Sequence, residues 1–350
     1  MVTVIKNSGY SEKLKEALID VTKAKRPEEH YYIGFHKEVN NPEFNNELAY
    51  ATMKYPDCGY RLLALFRYWN IIQYYFPYKN LVERDWKTVL ETFIPKVLAV
   101  QDATEYVLVM LELIGKVKDT HANIWGRNPV LQKYRGLRFA PFDVTFIEEN
   151  AVLTSFIDKK FEAETGLVIG DIIVAVNDVP VEHMIQMQLP YRPASNYPTQ
   201  LRNIARDLLR TNDTAIAINV VHENKTERKI VKTIAADEFD NYIINAPADT
   251  SFKMLTKDIA YINHGTLHAK HLPQIWKAMK NTKGVIIDDR NYPSDFVLYE
   301  FGKYLMPTAI PFVKFTFGHL SHPSASATTD TSATTTDTTK ADSSTTTPRP

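Results

Sequence analysis

A turn placed directly before a strand constrains the fold of this chain more than any other feature of its sequence. The stretch is Gly166-Leu-Val-Ile-Gly-Asp-Ile-Ile-Val-Ala-Val-Asn-Asp-Val-Pro-Val181. Gly166 and Gly170 permit a tight turn, because glycine adopts backbone angles that other residues avoid, and Asp171 can cap that turn. The apolar run that follows supplies the core-facing side chains of a strand.

Short apolar runs with a strand-like period surround this stretch and predict one β-rich module at residues 131–238. The expected strands lie at 142–147, 151–157, 172–176, 215–221 and 228–234. One principal helix is expected at 199–210. A length of about 100 residues is ordinary for a single domain.

Residues 56–130 show apolar side chains every three or four positions, the spacing of amphipathic helices. Three such runs follow one another, at 60–76, 86–97 and 102–117. Asp102 can cap the third helix, with Glu105 in the capping-box position three residues later. The segment therefore predicts a small helical domain. Residues 1–55 are weakly periodic, and we interpret them as a linker or the remnant of an upstream element.

The region 250–320 alternates strand and helix patterns, which predicts a βαβα unit with a parallel sheet. The expected strands lie at 259–263 and 285–288, and the expected helices at 269–281 and 295–305. The second strand ends in Asp288-Asp-Arg-Asn291, at the carboxyl end where α/β sheets build their sites. Two strands are too few for a stable sheet, so we expect only part of an α/β core.

From Ser324 to Pro350, 16 of 27 residues are Ser or Thr, and no large apolar side chain occurs. Such a tract cannot bury enough apolar surface to fold, so we expect 324–350 to be disordered. Two origins remain open, a natural O-glycosylated stalk and a truncation followed by foreign sequence. The predicted fold class is thus multidomain α+β: a helical domain, a β module, a partial α/β core and a disordered tail.

Composition narrows the classes of partner. Lys plus Arg and Asp plus Glu each number 41, so nothing indicates nucleic acid or an anionic membrane. The single cysteine, Cys58, excludes an intrachain disulfide. The N-terminus lacks the apolar core of a signal peptide, and no window approaches the roughly 18 apolar residues of a membrane span. The oligomeric state stays open.

Two motifs give the β module a known relative. The spacing G-L-x-x-G-D-x-I-x-x-V-N at 166–177 resembles that of PDZ domains, with Asp178 where a glycine is usual. Upstream, Gly136-Leu-Arg-Phe139 resembles the PDZ loop whose backbone amides hold a peptide's C-terminal carboxylate beside an open strand edge. The resemblance implies that Gly136, Leu137 and Phe139 receive a peptide end.

The order of the segments resembles the C-terminal processing, or tail-specific, serine protease family. The resemblance is carried by Tyr60-Arg-Leu-Leu-Ala-Leu-Phe-Arg-Tyr-Trp-Asn70, Lys118-Asp-Thr-His-Ala122, the PDZ-like module and Ile287-Asp-Asp-Arg-Asn-Tyr-Pro-Ser294. It covers residues 45–320 and is nearest to the Bacteroidetes-type members. It implies a crotonase-like α/β protease core and endopeptidase activity on unfolded or flexible polypeptide C-termini. It also implies no cofactor or metal, and a periplasmic or extracytoplasmic location.

By that resemblance, Thr120 and His121 stand where tricorn-like members carry their base. A neutral imidazole can take the proton of a serine hydroxyl and return it to the leaving amine. The alternative, a histidine that bonds a backbone carbonyl at a helix end, stays open. No serine-bearing helix of the family's kind follows Phe317-Gly-His-Leu-Ser-His-Pro323. Because a base without a nucleophile cannot form an acyl-enzyme, we expect this chain to be inactive.

Arg290 has two interpretations that the sequence does not separate. It either lines the substrate cleft or pairs with Asp288 and fixes the loop. For Asp289 we favour fixing of the loop.

The histidines His264, His268 and His271 form the only histidine cluster in the sequence. No carboxylate or cysteine completes a zinc set around them, so we expect no metal site. Two other functions compete with a peptidase. One is a non-catalytic PDZ-type peptide-binding protein, which the missing nucleophile favours, and the other is a metal-dependent enzyme, which rests on the histidines alone.

Overall fold

The structure, a computed structural model, describes residues 2–25, 30–36, 41–82, 85–244, 250–306, 308, 311–319 and 322–334. It begins with two helices, α1 (Val2–Lys6) and α2 (Glu12–Lys23). A hairpin of β1 (Ile33–Phe35) and β2 (Pro42–Phe44) follows. Neither helix buries a residue, so the hydrophobic cores lie further along the chain.

Helices occupy the segment in which helices are predicted. They are α3 (Cys58–Tyr75), α4 (Thr88–Ala99), α5 (Ala103–Gly115) and a short additional helix, α6 (Pro129–Arg135). Asp57 and Asp102 cap α3 and α5 by accepting hydrogen bonds from backbone N–H groups of the first turn. Glu105 accepts instead from the backbone N–H of Gln101, one residue before the usual capping-box partner.

The apolar faces of these helices meet in one core. Leu65, Phe93, Val97 and Leu113 are its most enclosed members, each no more than 1% exposed. The aromatic side chains of this segment therefore serve packing, with the indole N–H groups of Trp69 and Trp86 each donating to the other's backbone carbonyl.

The β-rich module contains all five predicted strands together with several shorter elements. In chain order these are β3 (Arg138–Phe139), β4 (Phe142–Ile147), β5 (Asn150–Phe156), α7 (Lys160–Thr165), β6 (Ile172–Val176), β7 (Val179–Pro180), α8 (Val181–Gln188), α9 (Tyr197–Ala205), β8 (Arg210–Thr211), β9 (Ala215–His222), β10 (Lys225–Lys232) and β11 (Ile234–Ala235). The main sheet has the order β10-β9-β6-β5-β4, with antiparallel neighbours, and β7 pairs with β6. A second sheet has the order β11-β3-β8.

The turn before β6 has the predicted geometry. Gly166 and Gly170 have φ angles of 62° and 102°. The Oδ2 atom of Asp171 accepts the backbone N–H of Val168 at 2.9 Å, which closes the turn.

One end strand of the main sheet lies beside a helix. Strand β4 is the end strand of that sheet, and among the described residues no strand pairs with its outer edge. Helix α9 packs beside it, because Leu201 and Ile204 enter the same core as Phe142 and Val144. An open strand edge with a helix alongside is the arrangement that accepts an added peptide strand.

The C-terminal segment forms a small α/β unit. Its elements are α10 (Ala236–Ile244), β12 (Phe252–Thr256), β13 (Ile259–Asn263), α11 (Leu272–Met279), β14 (Gly284–Asp288) and α12 (Leu298–Leu305). Strands β13 and β14 are parallel, as predicted. Strand β12 adds an antiparallel third strand that the sequence pattern does not predict, since most of its side chains are exposed.

A last hairpin corrects the expectation of disorder from residue 324. Strands β15 (Pro311–His319) and β16 (His322–Thr334) pair antiparallel. Threonine is β-branched and favours strands even where apolar burial is low. The expectation of disorder rests on the low apolar content alone. Residues 335–350 lie outside the described residues. Across the described part of the chain, no helix combines the length and apolarity needed to cross a membrane.

Candidate functional site

The loop that follows α5 carries His121 at the surface, with its side chain 97% exposed. One carboxylate orients it. Asp119 Oδ1 accepts the backbone N–H of His121 at 2.8 Å and lies 3.3 Å from the ring Nδ1. Because Nδ1 faces the carboxylate, Nε2 faces away, and no described residue bonds to it. This is the carboxylate–imidazole pairing that holds a general base in one orientation.

Thr120 ties the same loop to the β-rich module. Its N–H donates to Ser195 Oγ at 3.2 Å, and the Ser195 N–H donates to Thr120 Oγ1 at 3.1 Å. The two hydroxyls also form a hydrogen bond at 2.9 Å. The Thr120 hydroxyl is therefore occupied in anchoring the loop, and we assign Thr120 a positioning role.

The chemistry available at this site is proton transfer. An imidazole held by a carboxylate and open to solvent can accept a proton from a hydroxyl or a water. No serine hydroxyl of the described residues hydrogen-bonds to the His121 ring, and the Ser195 hydroxyl is engaged with Thr120. The described residues thus present an exposed imidazole paired with one carboxylate.

Arg290 forms an ion pair with Asp288, two residues before it in the chain. Its Nε and Nη2 atoms donate to the two oxygens of Asp288, at 2.9 and 2.6 Å, and the Tyr261 hydroxyl donates to Asp288 Oδ2 at 2.6 Å. The hydrogen bonds from Arg290, and then the one from Tyr261, hold the pKa of Asp288 well below its usual range. The same pairing raises the pKa of Arg290. This geometry favours the interpretation in which Arg290 fixes the loop, and no described hydrogen bond joins it to the His121 loop.

The histidine cluster is divided between separate carboxylates. His264 Nδ1 pairs with Asp289, in agreement with a loop-fixing role for that aspartate. His268 Nδ1 lies 3.9 Å from Asp295 Oδ2, and its ring stands edge-on to His271 with centroids 5.5 Å apart. Among the described residues, no three His, Cys, Asp or Glu side chains converge as a metal site requires.

The loop expected to hold a peptide carboxylate has its polar groups already engaged. The Leu137 N–H donates to Asn212 Oδ1 at 3.2 Å. The Gly136 carbonyl accepts from Arg210 Nε and Nη2 at 2.9 and 2.6 Å. Strand β3, with Phe139, lies between β8 and β11, so neither of its edges is open. This geometry is against the assignment of Gly136, Leu137 and Phe139 to peptide binding.

The Phe139 side chain is also enclosed. Its ring stacks on Phe239 with centroids 4.6 Å apart, and the Arg210 guanidinium lies 4.7 Å from its centroid. Among the described strands of the main sheet, β4 and β10 are the end strands, and neither has a strand paired to its outer edge.

Two residues of this site are not among those predicted from the sequence. Asp119 stands inside the motif Lys118-Asp-Thr-His-Ala122, and a carboxylate two residues before a candidate base was a signal that could have been used. Ser195 lies 75 residues from its partner Thr120, in a turn with no distinguishing pattern.

Comparison with known proteins shows likeness at the level of the fold. No protein-family model matches the chain, and no curated protein sequence does. Mature CPAF complexed with lactacystin matches with a TM-score of 0.53 at 13% identity, over 73% of this chain and 61% of that chain. Mature CPAF without that compound gives 0.51 at 14% identity, over 73% and 60%. The photosystem II D1 C-terminal processing protease gives 0.31 at 12% identity, over 70% and 63%, and we draw nothing from it.

The likeness to CPAF covers a different share of each chain. The fold shared with CPAF covers most of this chain. The matched part is about three fifths of the length of the CPAF chains. At these identities the likeness is one of mixed α+β architecture, and it leaves the activity of this chain to be argued from its own residues.

Proposed function

We propose that this chain is part of a serine-type endopeptidase of the tail-specific kind, in which His121 is the general base and Asp119 orients it. The observation that carries the proposal is the Asp119–His121 pair, with the ring nitrogen Nε2 directed to solvent at the surface of an anchored loop. An oriented imidazole of this kind would raise the rate of a proton transfer by about 10²–10⁴-fold.

Two independent facts support this proposal. The sequence around His121 resembles the tail-specific protease family at the position where some members carry their base. The fold likeness to CPAF, a protease of a similar kind, extends over 73% of the chain. A periplasmic or extracytoplasmic location would accord with that resemblance.

The substrate in this proposal is an unfolded or flexible polypeptide, captured as an added strand on the outer edge of β4. Main-chain hydrogen bonds from the strand would give affinity, and α9 would line the other side of the groove. The Gly136-Leu-Arg-Phe139 loop takes no part, since its amide and carbonyl groups bond to Asn212 and Arg210.

We further propose that none of the described serines is the attacking nucleophile, and that this chain binds substrate without cleaving it. The basis is the environment of His121, whose ring has Asp119 as its only described hydrogen-bond partner. The nucleophile and the oxyanion-binding amides would then come from residues outside those described.

The test is cleavage of an unfolded fluorescent protein by the purified chain, beside the variants His121→Ala and Ser195→Ala. We expect binding without cleavage in all three. Cleavage that disappears in His121→Ala would support the peptidase and overturn the claim of inactivity. Cleavage that disappears in Ser195→Ala as well would show that it depends on the Ser195 hydroxyl, either as the nucleophile or as the anchor of the His121 loop. If the substrate neither binds nor is cleaved, the proposed function is wrong.

A further inference from the structure

A cavity of about 230 Å³ opens beside the His121 loop, between that loop, helix α6 and the module. Thr120 lines it, so the cavity adjoins the proposed base. Its walls are rich in guanidinium groups. The lining arginines are Arg135, Arg192, Arg202 and Arg206. The only carboxylate in its lining is Asp207.

Asp207 is already shared by three arginines. Its Oδ2 atom pairs with Arg192 and lies 3.4 Å from Arg135 Nε, and its Oδ1 accepts from Arg210 Nη1 at 2.9 Å. The Asp207 side chain is only 10% exposed, so water compensates little of the charge. One carboxylate thus faces three guanidinium groups at close range, which leaves a surplus of positive charge in a partly dry site.

The remaining guanidinium groups have few acceptors. Arg206 is exposed, and its guanidinium has no hydrogen-bond or ion-pair partner among the described residues. Arg202 has only a marginal 3.5 Å contact with Asn203 Oδ1. Burial, together with repulsion from the Arg192 guanidinium, lowers the pKa of Arg135 to about 10. Positive charges that outnumber the carboxylates around a cavity are stabilised by a bound anion.

We propose that this cavity binds a carboxylate of the polypeptide ligand, either an acidic side chain or the C-terminal carboxylate, next to His121. The inference rests on the proposed function only in taking the ligand to be a polypeptide. The planar, forked guanidinium matches a carboxylate in a two-point hydrogen bond. Trp125, Tyr191 and Pro193 line the same cavity and would contact the carbon atoms of the ligand.

The experiment measures the affinity of the purified chain for fluorescein-labelled unstructured decapeptides by anisotropy. A single glutamate is moved through the peptide, each version is paired with its glutamine counterpart, and each is made with a free and an amidated C-terminus. The variants are Arg206→Gln and Arg202→Gln, at exposed positions where folding should persist. Arg228→Gln is the matched control, because it removes an exposed charge on β10 that pairs with Asp178, away from the cavity lining.

We expect at least one glutamate peptide, or the free C-terminus, to bind about tenfold more tightly than its neutral counterpart, as one charge-assisted hydrogen bond provides. Arg206→Gln should remove most of that discrimination, and Arg228→Gln should keep it. If replacement of glutamate by glutamine weakens binding, the bound carboxylate is that of the side chain. If amidation of the C-terminus weakens binding, the bound carboxylate is that of the chain end.

Three results would overturn the inference. The first is equal affinity for charged and neutral peptides, including no binding of either. The second is an equal loss in Arg206→Gln and Arg228→Gln, which would show attraction by net charge alone. The third is displacement of the peptide by inorganic phosphate at concentrations where glutamate has no effect, which would indicate a phosphate site. Cleavage is not needed for any arm, so the cavity assignment is tested apart from peptidase chemistry. Charge discrimination without slowed hydrogen exchange along β4 would refute capture on that strand edge and leave the cavity assignment in place.

Discussion

Thr120 and Ser195 hydrogen-bond to each other through both hydroxyls and both backbone N–H groups, across 75 residues of sequence. The pair joins the loop after α5 to the segment before α9. Since His121 is the next residue after Thr120, the position of the imidazole relative to the β-rich module depends on this junction.

Replacement of Ser195 by alanine should therefore loosen the junction. The change removes the acceptor of the Thr120 N–H and the bond between the hydroxyls, each worth about 1 kcal/mol or less at an exposed site. We expect a loss of about 1 kcal/mol in the free energy of unfolding, measured by urea titration. Thr120→Ser keeps the hydroxyl and is the matched control. Equal stability of Ser195→Ala and the parent chain would show that the junction is not energetically coupled to the fold.

Gly136 is required by both its backbone angle and its surroundings. It has a φ of 107°, and a Cβ atom built on it would lie 2.4 Å from the backbone nitrogen of Thr211. Gly126 has a φ of 85° with nothing near its missing Cβ, which makes it the control for the angle alone. We expect Gly126→Ala to cost about 1 kcal/mol and Gly136→Ala distinctly more, because β3 and β8 must separate. Similar unfolding midpoints for the two variants would contradict this.

The sequence was most informative where a pattern is local. The strands at Phe142–Ile147 and Ile172–Val176 have the predicted bounds, because apolar runs bounded by turn residues need no distant partner to be recognised. Helix α8 (Val181–Gln188) was missed, since it is short and follows a proline that reads as the end of a strand. The Thr-rich strand β16 differs from the predicted disorder because threonine is β-branched and favours extended backbone even in a segment with little apolar content.

The candidate site also contains some residues that a local sequence pattern identifies and others that it does not. Thr120 and His121 could be singled out from one short motif, and Asp119 lies in that motif. Ser195, the Arg210 and Asn212 contacts that close the Gly136 loop, and the arginines around Asp207 depend on pairings far apart in sequence. A single sequence contains no signal for such pairings, so the cavity could be found only once the fold brought its walls together.

Asp207 should be essential to the stability of the module. Asp207→Asn keeps the shape of the side chain but leaves three guanidinium groups without a counter-charge. Removal of one partner from a buried ion pair costs about 3–5 kcal/mol. The matched control is Asp178→Asn, whose exposed pair with Arg228 should contribute less than about 1 kcal/mol. Chemical unfolding of the two variants in parallel compares their losses of stability. Equal unfolding midpoints would show that the arginines find other partners.

The same carboxylate should give the chain an acid-sensitive stability. Burial raises the pKa of Asp207, but attraction to Arg192 and Arg135 outweighs burial and holds the pKa below its ordinary value. A group with a lowered folded-state pKa stabilises the fold above its unfolded pKa, about 3.9 for aspartate, and that stabilisation is lost as the pH falls towards the folded value. The unfolding free energy of the parent chain should thus fall more steeply below about pH 4 than that of Asp207→Asn. Parallel pH dependences would assign the acid sensitivity to other groups.

Binding of a polypeptide should protect one particular strand edge from hydrogen exchange. Strand β4 pairs only with β5 among the described residues, whereas β3 lies between β8 and β11. An added strand would supply acceptors to the outward-facing amides of β4 and slow their exchange, while residues 136–139 would be unchanged because their partners are already in place. Exchange measured by mass spectrometry with and without a saturating unstructured peptide distinguishes the two segments. Slowed exchange at 136–139 with no change at 142–147 would restore the carboxylate-loop assignment and would be incompatible with capture on β4.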